Sequence, residues 1–244
     1  MPVMMPPTGL RWLFTRTCLF RSVAFWLAIL GASGCARRGQ LMTIAQLEST
    51  LPAHPISVGF DVDETMICST PVWYYLATNH DGPGWSNKYG VQVRQHPDFW
   101  PDANRLDSFS MPKQAARDLI ALHQRRGDHI CVVTSRYQTP GEQLTGTLRR
   151  VFNLDDGVPI LFTDNKPKST SIREQHLDIF YGDADDDMTQ ARAAGARPIR
   201  FLRSLRCADD RVHVGAFGEE ILADSDLCAG FARAGPSTRP AAKR

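Results

Sequence analysis

The sequence predicts an α/β fold: a parallel sheet covered by helices on both faces, with a small cap inserted after the first strand. Three observations carry this. Short apolar runs of strand length recur along the chain, stretches with helical spacing alternate with them, and each apolar run ends in a polar cluster. The exception to the alternation is a long aromatic stretch after the first run, where the cap is placed.

Residues 41–51 (LMTIAQLESTL) carry apolar side chains at helical spacing and read as a short helix before the main domain. Residues 56–61 are the first strand. Residues 68–112 hold several Gly, Pro and Asn residues among Trp73, Tyr74, Tyr75, Trp85, Tyr89, Phe99 and Trp100. That is too long for an ordinary connection and reads as a cap with little regular structure. A helix comes next over 112–126, with proline in its first turn, Ala116, Leu119, Ile120 and His123 on one face, and Gly127 as its stop. The run HICVVT (129–134) is the second strand. The order then continues as a helix over 141–152, a strand over 159–162, a short helix over 170–176 and a strand over 178–183. A helix over 185–194, stopped by Gly195, and a fifth strand over 198–202 complete it.

The length of 244 residues suits one α/β domain or two small ones. Apolar and charged fractions of 43% and 22% are those of a globular protein, and a formal charge of +2 gives no reason to expect a nucleic-acid polymer as partner. The N-terminus reads as a targeting segment. Arg11, Arg16 and Arg21 precede the apolar core SVAFWLAIL (22–30), and small residues lead to Cys35. The apolar run is short for a transmembrane helix. Cys35 sits where a lipoprotein signal would be processed and lipidated, although the usual leucine of that box is missing; simple cleavage nearby and a retained anchor are the other readings. Residues 1–35 are therefore set apart as a signal peptide, 36–228 as the main domain, and 229–244 as a basic, Pro- and Ala-rich disordered tail. Cys131 lies inside an apolar run as a core residue, whereas Cys207 and Cys228 are candidates to pair in an oxidising compartment. No spacing suggests a zinc site.

The chemistry lies in the polar clusters at the strand ends. The first strand ends in FDVDET (60–65) and the second in Thr134-Ser135-Arg136. Asp164-Asn165-Lys166-Pro167 come after the third, and the fourth ends in Gly182-Asp183-Ala184-Asp185-Asp186-Asp187. In an open parallel sheet these carboxyl ends share one edge. Carboxylates gathered there repel unless a cation sits among them, and an all-oxygen donor set favours Mg²⁺. A hard cation, a lysine and a spare carboxylate suit a phosphoryl group. Asp61 could attack phosphorus, while Asp63 protonates the leaving oxygen and later deprotonates water. A calcium loop over 183–194 is excluded because Met188 and Ala194 stand where glycine and glutamate are needed.

The motif set F-D-V-D-E-T, V-T-S-R, D-N-K-P and Y-G-D-A-D-D-D resembles the haloacid-dehalogenase (HAD) superfamily of phosphohydrolases. A-Q-L-E (45–48), P-D-F-W (97–100), H-Q-R-R-G-D (123–128) and G-A-F-G-E-E (215–220) narrow the resemblance to bacterial class B non-specific acid phosphatases, from about residue 42 to 225. The resemblance implies that 36–228 form a phosphatase domain of HAD-like Rossmannoid three-layer fold, in a periplasmic homotetramer with one Mg²⁺ per subunit. The implied substrates are phosphomonoesters such as nucleotides, aryl and sugar phosphates, with phosphate transfer to alcohols in some members. It implies Asp61 as nucleophile and metal ligand, and Asp63 as acid/base and ligand through its carbonyl. Asp183 is then a direct ligand, Asp187 supports the metal through water, and Thr134, Ser135, Arg136 and Lys166 lie at the phosphate, with Trp73 and Trp100 toward the substrate. Ser135 departs from the Thr-Gly-Arg of class B relatives. Cys35 resembles instead the lipoprotein class C acid phosphatases, so a more selective class C-like 5′-nucleotidase is the alternative. A receiver-type phospho-acceptor module is a poorer match, since receivers lack a carboxylate at the position of Asp63.

Overall fold

The computed structural model describes residues 39–205, 207 and 211–229. The signal-peptide and Cys35 readings, and the tail beyond residue 229, lie outside the described residues. The strands are β1 (Gln40–Met42), β2 (Ser57–Phe60), β3 (Ile67–Cys68), β4 (Met111–Pro112), β5 (His129–Thr134), β6 (Ile160–Phe162), β7 (Ile179–Gly182), β8 (Arg197–Arg200) and β9 (Glu220–Leu222). The helices are α1 (Ile44–Thr50), α2 (Thr70–Thr78), α3 (Phe99–Leu106), α4 (Gln114–Arg126), α5 (Leu144–Phe152), α6 (Ser169–Glu174) and α7 (Asp185–Ala194). Among the described residues a seven-stranded sheet runs in the order β1-β9-β8-β7-β2-β5-β6, with every neighbouring pair parallel. β3 and β4 form a separate two-stranded ribbon.

Alternation along the strands sorts side chains onto two faces. Val58, Phe60, Val132, Ile179 and Tyr181 pack with Leu47, Leu119, Ile120, Leu148 and Phe152, burying α1, α4 and α5 on one face. Cys131, Val133 and Phe180 pack with Ile172 and Ala191, burying α6 and α7 on the other. The three-layer α/β architecture expected from the sequence is the one observed.

Two strands of the large sheet are not legible as strands in the sequence. Residues 40–42 form β1 where a helix is expected to begin; the helix starts after Thr43, whose hydroxyl and Gln46 form a reciprocal cap. β9 is only three residues long, and one of its two partners, β1, comes from the opposite end of the domain. Pro112 lies not in a helix but in β4, which pairs antiparallel with β3. The stretch between them has more regular structure than expected. Val72 and Leu76 of α2 and Phe99 and Ala103 of α3 are i, i+4 pairs, and they close with Tyr89 into a separate small core. The high density of aromatic, Gly and Pro residues masks that periodicity.

The β3–β4 ribbon at the base of the cap is covalently fixed. Cys68 is disulfide-bonded to Cys228, with their Cα atoms 6.4 Å apart. Cys228 therefore pairs with Cys68 and not with Cys207. The reason is local: Cys228 bridges antiparallel to Lys113, and Ala229 N–H donates to the Pro112 carbonyl, which lays the C-terminal segment along β4. The bond spans 160 residues of sequence. Loop-closure entropy makes such a crosslink worth about 5 kcal/mol. Cys68→Ser is expected to lower Tm by on the order of 10 °C in non-reducing buffer and to abolish the shift that reductant causes in the wild type. An unchanged melting curve would show the crosslink carries no stability.

Candidate active site

β2 is where the strand order turns. The chain proceeds from β2 to β5 and β6 on one side, then returns to β7 and β8 on the other. A crevice opens at the carboxyl end of a strand in this position. Asp61, immediately after β2, is anchored there by its N–H to the Tyr181 carbonyl, 2.9 Å. Three carboxylates converge on the crevice: those of Asp61, Asp183 and Asp187 are buried and can each offer an oxygen within 4.8 Å of the others. Thr65 Oγ1 donates toward both Asp61 and Asp183, at 3.3 Å each. Burial pushes Asp61 well above the usual carboxylate range. Lys168 opposes that rise, and the charges of Asp187, Asp183 and Asp63 add to it. Asp183 is raised by burial and by Asp187, against the pull of Arg203, whose Nε donates to its Oδ2 at 2.6 Å. Such a cluster suits a hard cation. Its donors are all oxygen, and a positive ion among them relieves the repulsion.

The lysine among these carboxylates is Lys168. Its Nζ donates to Asp61 Oδ1 at 2.6 Å and to Asp187 Oδ1 at 2.7 Å. Burial disfavours its charge, but Asp187 and Asp61 outweigh that and keep it protonated. Lys166, the lysine expected there, is exposed and does not line the cavity. Asp164 and Asn165 both adopt left-handed backbone, forming a tight turn closed by the Lys166 N–H to the Thr163 carbonyl. This turn leaves Lys166 on the outside. Lys168, at the N-cap of α6, comes back over the sheet edge.

Asp63 is gripped from the side. Arg136 Nε donates to its Oδ2 at 3.0 Å and Nη2 to its Oδ1 at 2.6 Å, while the Trp73 indole N–H reaches Oδ1 at 3.2 Å. Burial alone would raise the Asp63 pKa, but Arg136 brings it below the usual carboxylate range. Arg136 is thus a buried clamp whose guanidinium also lies over the Trp73 ring, 4.9 Å from its centroid. Asp61, Asp63, Asp183, Asp187, Lys168, Ser135, Arg136, Trp73 and Trp100 all line one cavity of about 670 Å³. Thr134 is fully buried and is not part of that lining; its Oγ1 accepts from the Arg136 N–H at 3.3 Å.

No family model matches the chain. Individual relatives do. The class B acid phosphatase of Klebsiella pneumoniae (strain 342) is 38% identical over 194 residues, covering 76% of this chain and 79% of that protein. The chain belongs to the class B acid phosphatase family. The class B acid phosphatase of Salmonella typhimurium is 37% identical over the same shares. That of Marinomonas sp. (strain MWYL1) is 36% identical over 193 residues, covering 76% of this chain and 79% of that protein. Among solved structures, a HAD family hydrolase from Deinococcus radiodurans with bound phosphate and sodium aligns with a TM-score of 0.45 at 14% identity. It covers 70% of this chain and 91% of that one.

As a class B acid phosphatase the chain is a phosphatase enzyme, and several residues shaping its site are not legible in the sequence. Glu64, in left-handed backbone after Asp63, accepts from Thr70 N–H and Oγ1 at the start of α2 and from the Ser204 N–H. It ties the cap to the C-terminal segment. The Glu219 of G-A-F-G-E-E accepts from the N–H groups of Gly215 and Phe217 and pairs with fully buried Arg200 at 2.9 Å. Arg200 in turn donates to the Asp183 carbonyl at 2.6 Å and to Asp185 at 3.0 Å. The G-A-F-G-E-E segment thus acts as a clamp on the loop carrying Asp183. Gly182 is required by close approach: a Cβ there would lie 2.5 Å from Cβ and Oδ2 of Asp187. Gly182→Ala is expected to displace Asp187 and lower kcat/KM by about 100-fold, with only a modest fall in Tm. Full activity in this variant would show that the position of Asp187 is not critical.

Proposed function

We propose that the chain is a secreted, Mg²⁺-dependent acid phosphatase that hydrolyses phosphomonoesters through an aspartyl-phosphate on Asp61. The observation carrying this reading is the convergence of Asp61, Asp183, Asp187 and Lys168 at the floor of one cavity, with Asp63 held at its side. Asp61, Asp183 and Asp187, with the carbonyl of Asp63, would hold the ion. When bound, Mg²⁺ supplies charge neutralisation of the phosphate oxygens. Lys168 neutralises a further oxygen and orients the Asp61 carboxylate toward phosphorus. Asp61 attacks, the phosphorus–oxygen bond to the leaving group breaks, and Asp63, which Arg136 holds ionised before substrate arrives, takes up the proton carried by the monoanionic phosphoester at acid pH and delivers it to the departing oxygen. Asp63, ionised again beside Arg136, then takes a proton from the water that hydrolyses the aspartyl-phosphate, restoring Asp61 and releasing phosphate. Ser135 is exposed and lines the cavity, so its N–H and hydroxyl would be available to the phosphoryl group.

The cavity is far larger than a phosphoryl group, and Trp73, Tyr74 and Trp100 form an aromatic wall within it. This supports ester substrates with sizeable leaving groups, nucleotides and aryl phosphates before small sugar phosphates. Transfer to an alcohol in place of water uses the same second step. Location in the periplasm rests on the N-terminal signal pattern and is supported by the Cys68–Cys228 disulfide, which suits an oxidising compartment. Assembly as a homotetramer rests on family membership.

The test is hydrolysis of p-nitrophenyl phosphate, a nucleoside monophosphate and glycerol phosphate at acid pH, before and after dialysis against EDTA. Activity is expected to be lost with the chelator and restored by Mg²⁺, with the nucleotide turned over at least as well as glycerol phosphate. Turnover that survives complete chelation would refute the metal assignment.

A further inference from the structure

The buried ion pair beyond Asp63 takes no part in the bond-making steps. Arg136 uses every N–H of its guanidinium. Nε and Nη2 hold Asp63. Nη2 also donates to Asp107 Oδ1 at 3.2 Å, and Nη1 donates to Asp107 Oδ2 and, at 3.3 Å, to the Ala103 carbonyl. That accounts for the five donors arginine possesses. Asp107 is 1% exposed and opens a 3₁₀ turn (Asp107–Phe109) directly after α3, where Ser110 Oγ donates to its Oδ1 at 2.8 Å. It does not line the cavity, whereas the Asp63 side chain keeps 29% exposure toward solvent. Asp107 therefore has no access to substrate, yet it faces Asp63 across one planar, fully committed guanidinium.

We propose that Asp107 is a positioning residue for the acid/base carboxylate: through Arg136 it fixes where Asp63 presents its proton to the leaving oxygen. The inference rests on the assignment of Asp63 as the acid/base. A guanidinium held only by Asp63 can swing about its own side-chain torsions and carry that carboxylate with it. The second carboxylate and the Ala103 carbonyl remove this freedom, because the fork of donors is rigid and planar. All three anchors beyond Arg136 itself, namely Ala103, Asp107 and the Trp73 ring beneath the guanidinium, belong to the aromatic stretch between β3 and β4. The cap therefore bears on leaving-group protonation as well as on what fits in the cavity.

Leaving-group dependence separates this from a purely structural role. A nitrophenolate departs with little help, whereas an alkoxide needs the proton, and general acid catalysis is worth about 10²–10⁴-fold. For Asp107→Asn, kcat/KM on p-nitrophenyl phosphate is expected to fall by less than about tenfold and on an alkyl phosphate such as glycerol phosphate by about 100-fold or more. Asp63→Asn sets the limiting slope, and Asp107→Asn added to it is expected to cost little more. A uniform loss across leaving groups, or none, would overturn the proposal. If Asp63→Asn itself shows no leaving-group dependence, the acid/base assignment fails, and the proposal falls with it for that separate reason. Because removing one partner of a buried pair can unfold a protein, Arg136→Lys is measured alongside. It keeps the charge but loses the fork, and it must show the same leaving-group dependence; a uniform loss there also overturns the proposal.

Discussion

Asp61→Asn is expected to fold normally and to lose at least about 10⁴-fold in kcat on every phosphomonoester, whatever its leaving group. The asparagine is nearly the same size, so neither β2 nor the Lys168 contact is lost sterically. The carbonyl oxygen of the amide still accepts from Nζ, and Thr65 keeps Asp183 as its acceptor. Stability should not suffer. Burial and three neighbouring carboxylates already make the Asp61 charge unfavourable, so a neutral side chain relieves repulsion. What disappears is the nucleophile: an amide oxygen cannot form a hydrolysable acyl phosphate. The effect must therefore be independent of leaving group, in contrast to that of Asp63→Asn. Acid-quench trapping of labelled enzyme should find phosphate bound to the wild type and none bound to the variant. A variant that retains a tenth of wild-type activity would rule out Asp61 as nucleophile.

The second large effect separates two lysines two residues apart. Lys168→Met is expected to lower kcat/KM by about 10²–10³-fold, the cost of removing one pre-placed charge from a developing oxyanion. It should also weaken the protein when metal is withheld, because Nζ is the positive group between Asp61 and Asp187. The same change at Lys166, exposed in its turn, should leave kcat/KM within about twofold and Tm unchanged. Thermal melts with and without Mg²⁺ supply an independent readout. The difference between the two conditions should be larger in Lys168→Met than in the wild type, because the cation then has more repulsion to relieve. If Lys166→Met were the damaging variant, the placement of the lysine would be wrong.

These two lysines also show where sequence stops being informative. Strand ends are readable because each apolar run is punctuated by a charged cluster, and the parallel order comes from alternation with helices. That places Asp61, Asp63, Asp183 and Asp187 at one edge without coordinates. Which of Lys166 and Lys168 turns inward depends on two consecutive left-handed residues, Asp164 and Asn165, and neither is a glycine that would announce the turn. Their identities, aspartate and asparagine, are the residues that tolerate this backbone, and the helix beginning at Ser169 is the remaining clue. The role of Asp107 is hidden for another reason. It acts across 29 residues of sequence through Arg136, and nothing local distinguishes it from a cap residue. The disulfide is equally non-local, since its geometry depends on a ribbon of two-residue strands, β3 and β4, that no periodicity reveals.

The place of β9 has a consequence for how the enzyme is made. Among the described residues β1, from the start of the domain, pairs in the sheet with β9 alone, which comes from its end. Glu219, which secures Arg200 and through it the Asp183 carbonyl, is the residue just before β9. A chain folded through every carboxylate of the cavity still lacks, without its C-terminal segment, the part that holds the Asp183 loop in place. The site is therefore complete only when the C-terminal segment lies between the first strand and the rest of the sheet. Until then the sheet is incomplete and the Asp183 loop lacks its Glu219–Arg200 clamp.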